Sequence, residues 1–108
     1  RVKRAWSEDV ATWITATTGV GWEVHGCAGS SDREPTPVVT ATLSTTEAWY
    51  AWDITALARG WIQSPASNAG VLLLAPADQG AVEYKFIASE WPIAGLRPKL
   101  TVAYWIVR

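Results

Sequence analysis

The sequence contains no Met and a single Cys among 108 residues. Without Met, the chain is expected to be a processed product or a fragment. One Cys excludes an internal disulfide framework, and one thiol does not decide the redox compartment. Charge of one sign is also lacking. Nine Lys and Arg against ten Asp and Glu leave a net charge of −1. That balance argues against a nucleic-acid binder, which needs a basic footprint, and against an acidic disordered tail. Long apolar runs are missing too. The longest, Val71 to Ala75, falls far short of the roughly 20 residues that span a bilayer. Arg1-Val2-Lys3-Arg4 is not followed by an apolar run, so no signal peptide is read.

What is present is 49 % hydrophobic residues, enough for a core, and eight Trp. Val82, Tyr84, Phe86 and Ala88 alternate with Glu83, Lys85 and Ile87. Leu100, Val102, Tyr104 and Ile106 alternate with Thr101, Ala103, Trp105 and Val107, after Pro98. A period of two predicts strands with one buried face. Val71 to Ala75, Val38 to Leu43 and Trp49 to Ile54 read as further strands. Ile54, Leu57, Ala58, Trp61 and Ile62 recur at threes and fours. They predict one short helix, about residues 54–62, with Asp53 or Thr55 at its cap. Gly60 and Pro65 limit its length, and Asn68-Ala69-Gly70 turns the chain. Gly19 to Pro37 reads as a long Gly-rich loop. No repeat and no interior linker is seen, so residues 1–108 read as a single domain. Short strands with one small helix predict an all-β, antiparallel β-sandwich.

Four segments together carry a family resemblance. They are Trp6-Ser7-Glu8-Asp9-Val10-Ala11-Thr12-Trp13 with Trp22 and Gly26, and Trp52-Asp53-Ile54-Thr55-Ala56-Leu57 with Trp61. The third is Asn68-Ala69-Gly70-Val71-Leu72-Leu73. The fourth is Phe86-Ile87-Ala88-Ser89-Glu90 with Arg97-Pro98-Lys99-Leu100-Thr101-Val102 and Tyr104. In this order they resemble the DNRLRE-type domains, secreted bacterial and archaeal β-sandwich modules. Some of these are classed as carbohydrate-binding. The resemblance implies a jelly-roll sandwich in a secreted or cell-surface protein. It also implies opening strands before Trp6 that are absent here, so the sandwich is expected to be incomplete at its start. Arg1 to Trp6 would then form an open edge, beside a groove lined by Phe86, Val102 and Tyr104. A strand from another chain is expected there, because unpaired edges recruit strands.

Flat Trp faces suit sugar rings, but core packing is the commoner use. Trp52 shares a face with Tyr50 and Ile54, and Trp61 a helical stripe with Leu57. Both are expected in the core. Trp6, Trp13 and Tyr104 match positions of the resemblance that look structural, and are expected there too. Trp49 and Trp105 are opposite in phase to their neighbours, and Trp91 sits in the Glu90 to Gly95 loop. These three are the expected ligand or interface residues.

No catalytic residue is expected. His25 and Cys27 share the Gly26 loop, but no third group orients a base, and two soft ligands do not make a zinc site. Glu8, Asp9, Asp32, Glu34, Glu47, Asp53, Asp78, Glu83 and Glu90 offer carboxylates, but no spacing selects a hydrolytic pair. The sole cation considered is a structural calcium on Asp32, Glu34 and loop carbonyls. The expected function is a non-catalytic extracellular module that binds polysaccharide or anchors a surface protein. The alternative is a structural subunit of an extracellular filament or sheath, completed by strands from a neighbouring chain.

Overall fold

Thr12 starts the most regular part of the chain. Its hydroxyl accepts the N–H groups of Ile14 and Thr15 at 3.1 and 3.0 Å, closing a small turn. The backbone then enters strand β1, Thr15–Thr17, which pairs antiparallel with β2, Val20–Gly21. Gly19 joins them at φ +72°, a left-handed value that glycine adopts without a Cβ penalty. Ala16 on β1 is fully buried. The structure is a computed structural model that describes residues 1–76, 80 and 83–107.

The chain divides into two units, Arg1–Leu74 and Ala75–Arg108. The first holds the hairpin and helix α1, Thr55–Gln63. Asp53 Oδ1 accepts both the N–H of Thr55, at 2.9 Å, and its hydroxyl, at 2.6 Å, at the helix entrance. Ser64 donates back to Gly60 O at 2.9 Å, and Pro65–Ser67 follows as a single 3₁₀ turn. Asn68 Oδ1 accepts Gly70 N at 3.2 Å, and Gly70 lies at φ +84°, completing the expected turn. The second unit contains one 3₁₀ turn, Ala94–Leu96. Near it Arg97 Nε donates to Trp91 O at 2.6 Å.

The chain is not an all-β jelly-roll sandwich. Two short strands form the only sheet among the described residues. The segments expected as strands at 38–43, 49–54, 71–75, 83–88 and 100–107 belong to no ladder. Val82 lies outside the described residues. The physical reason is that alternation ranks which side chains would face a core, whereas a strand forms only when another strand satisfies its backbone. Burial makes the same point. Leu100 and Tyr104 of one phase are 74 % and 75 % exposed, and Trp105 and Val107 of the other are 97 % and 95 % exposed. Neither face of that segment is covered.

The expected open edge at Arg1 to Trp6 is closed by the first unit itself. Val2 forms an antiparallel bridge with Arg33 and is buried. Lys3 N donates to Asp32 O at 2.8 Å, and Glu34 N to Arg1 O at 2.9 Å. On the other side Val2 N donates to Gly70 O at 3.1 Å. Segments 32–34 and 70 thus occupy the positions expected for a donated strand.

Candidate functional site

The residues read as a loose Gly-rich loop carry the densest hydrogen bonding of the chain. Asp32 is completely buried at its centre. Its Oδ1 accepts Glu23 N at 2.9 Å and Arg4 Nη1 at 3.1 Å. Its Oδ2 accepts Val24 N at 3.1 Å and Gly29 N at 3.0 Å. Four donors fill the four lone-pair sites of a carboxylate. Burial alone pushes this carboxyl up, but the backbone N–H groups of Glu23, Val24 and Gly29 and the Arg4 guanidinium outweigh it. The balance holds Asp32 at about 2, below the usual 3.8. The calcium considered for this loop does not fit. Asp32 has no lone pair left for a cation, and Glu34 is turned to Arg1 at 3.4 Å.

Glu23 is the second organiser of this loop. Its Oε2 accepts the hydroxyl of Ser31 at 2.6 Å and its N–H at 2.7 Å, which lower its pKa. Nothing in the pattern of residue types singled Glu23 out. A carboxylate eight residues before a serine carries no recognisable spacing. Gly29 is buried between the two carboxylates, where a Cβ would meet the Glu23 Cβ at 2.6 Å and Asp32 Oδ2 at 2.7 Å.

His25 and Cys27 are not brought together for chemistry. His25 is exposed, whereas Cys27 is buried at φ +59° with its thiol directed at Asp32 O, 3.8 Å away. Burial raises the Cys27 thiol pKa, and the Asp32 charge raises it further, so the thiolate nucleophile is disfavoured. Among the described residues, no group of three His, Cys, Asp or Glu is arranged to hold a metal. Asp78 lies outside those residues.

The Trp residues are placed as follows. Trp49, Trp91 and Trp105, expected at the surface, are 59 %, 45 % and 97 % exposed. Trp52 and Trp61, expected in the core, are half-buried, and Trp61 Nε1 is buried without a hydrogen-bond partner. Trp6, Trp13 and Tyr104 were expected in the core and stand at the surface instead. Each has a physical reason. Trp13 lies over Gly26, where a Cβ would collide with its ring, so a glycine backbone replaces a core as its support. Tyr104 belongs to the uncovered segment 100–107. Trp6 donates its indole N–H to Ala69 O at 2.8 Å. That bond fixes the ring as one wall of an open cleft of about 350 Å³. Lys3, Ala5, Ala66, Asn68, Ala69 and Gly70 make up the rest of the lining. Sequence reasoning missed this cleft because its parts meet only when segment 1–6 docks on the 68–70 turn.

A second hydroxyl cluster surrounds Tyr50. Its Oη accepts Ser44 N and Thr45 N at 2.9 and 2.8 Å and donates to Thr45 O at 3.0 Å. Hydrogen bonds from the side chain and backbone of Thr45, then from Ser44, lower its pKa to about 8. No helix among the described residues is long and apolar enough to cross a membrane. Compared with protein-family models, with curated proteins and with solved structures, the chain matches none.

Proposed function

We propose that the chain is a non-catalytic structural module, at a cell surface or in an extracellular assembly, that works by docking onto a neighbouring copy. One observation carries this reading. Residues 100–107 expose both phases of an alternating apolar sequence, from Leu100 at 74 % to Val107 at 95 %. An exposed apolar stretch of this kind marks an interaction surface. Alternation suits it to strand addition, in which a neighbour supplies ladder partners and pockets for alternate side chains. A net charge of −1 sets little repulsion between copies. The resemblance to secreted modules supports the extracellular setting. Light scattering behind size exclusion tests the reading. The parent should associate as concentration rises, and Val102→Lys with Tyr104→Lys should leave a folded monomer. A parent that stays monomeric, or a double variant that associates equally, overturns it.

Polysaccharide binding is the second reading. The exposed indoles of Trp49, Trp91 and Trp105 favour it, since a flat aromatic face stacks on the C–H face of a sugar ring.

A further inference from the structure

We propose that the cleft beside Trp6 is a binding site for one pyranose ring of a polysaccharide. The proposal deepens the second reading above and is independent of assembly. Trp6 is 44 % exposed, and its single polar atom is already spent on Ala69 O. What it offers a ligand is therefore an aromatic face, held at a fixed tilt. The opposing surface consists of Ala5, Ala66, Ala69 and Gly70, whose small side chains leave room for a flat ring. Even the position of a Gly70 Cβ would stand 3.9 Å from Trp6 Nε1.

The turn beneath is rigid. Asn68 N bonds Pro65 O, Ala69 N bonds Ser67 O, Gly70 N bonds Asn68 Oδ1, and Gly70 O receives Val2 N. These bonds decide the ligand class. The cleft backbone is committed internally, so an extended peptide would find poor ladder partners. Two side-chain donors remain at the rim. The bond to Gly70 N uses Asn68 Oδ1 and leaves the amide NH₂, and the Lys3 ammonium commits a proton to Ser30 O at 2.9 Å. A pyranose ring matches this set. Its C–H face stacks on the indole while its hydroxyls accept from Asn68 and Lys3. A volume of about 350 Å³ falls at the small end of ligand sites. The open side lets the ring belong to a longer polymer.

The test titrates the intact chain with short oligomers of glucose, N-acetylglucosamine and galacturonic acid, by calorimetry and by the indole N–H resonances of an ¹⁵N-labelled sample. At least one oligomer should bind and move the Trp6 indole resonance. Trp6→Ala should weaken it by about thirtyfold or more, the scale of losing an aromatic anchor. Ala66→Trp, which fills the cleft and leaves the Trp6–Ala69 bond intact, should do the same. Trp91→Ala and Trp105→Ala should bind like the parent. Binding that survives Trp6→Ala and Ala66→Trp but is lost in Trp91→Ala or Trp105→Ala overturns the cleft and keeps the polysaccharide reading. Failure of all three oligomers to bind overturns both.

Discussion

Gly29 and Gly60 respond in opposite directions to the same substitution. At Gly29 an alanine Cβ would lie 2.6 Å from the Glu23 Cβ and 2.7 Å from Asp32 Oδ2. Carbon atoms prefer about 3.5–4.0 Å, so one side must retreat by about 1 Å. Neither neighbour moves freely. Glu23 holds the backbone and hydroxyl of Ser31, and Asp32 holds four donors while fully buried. Overpacking of this kind costs about 1–3 kcal/mol. Each kcal/mol moves the midpoint of a domain this size by about 4–8 °C, so Gly29→Ala should melt at least about 4 °C below the parent. Gly60 lies inside α1, and a Cβ there meets nothing within 4 Å. Alanine in a helix interior gains about 0.5–1 kcal/mol over glycine, so Gly60→Ala should raise the midpoint by a few degrees. Calorimetry of both variants, beside the parent, measures the two shifts. A Gly29→Ala protein that melts with the parent or above it would show that the Asp32 loop is not closed as described.

Two more expectations concern titration. Asp32 has a folded pKa of about 2 against an ordinary 3.8. A depressed carboxylate contributes stability that is complete above the unfolded value and is lost as pH falls through the folded one. Stability should therefore fall between about pH 4 and pH 2. Asp32→Asn, whose NH₂ would face N–H donors, should destabilise the protein and flatten that dependence in acid denaturation followed by circular dichroism. Tyr50 should titrate at about 8 rather than the usual 10. Its folded pKa is also depressed, so its contribution to stability grows as pH rises through that range. Ultraviolet difference absorbance, with Tyr50→Phe as the blank, reads the titration directly, and a normal phenol in the parent would exclude the Ser44–Thr45 cradle.

Short-range features were legible in the sequence. The helix expected at about 54–62 is found at Thr55–Gln63, because periodic Leu57, Ala58 and Trp61 lie between an acidic entrance and Pro65. The turn at Asn68 to Gly70 follows from side-chain chemistry within three residues. The sandwich was not legible in this sense. Alternation at 100–107 states what a partner strand would need, and the first unit gives those residues none. The Asp32 loop was misread for the opposite reason. Glycines at 26 and 29 signal looseness on average, yet here one supports the Trp13 ring and the other lets two carboxylates close on the backbone. The Trp6 cleft needs residues at both ends of the first unit, and no local pattern reports on that meeting.

The reach of those contacts orders the folding of the first unit. The bonds to Asp32 from Gly29, Val24 and Glu23 close loops of 3, 8 and 9 residues, whereas Trp6 reaches Ala69 across 63. Loop-closure entropy grows as about (3/2)RT ln n, so the Trp6 contact starts about 2 kcal/mol behind the longest of these local bonds. The carboxylate loop should form early and the cleft wall last. The same order holds in reverse during native fluctuations, since the least stable contacts open first. Hydrogen exchange should then find the Val2 amide less protected than that of Gly29. A ligand in the cleft would slow exchange at Val2 by holding the last contact closed, without altering the loop that folded before it.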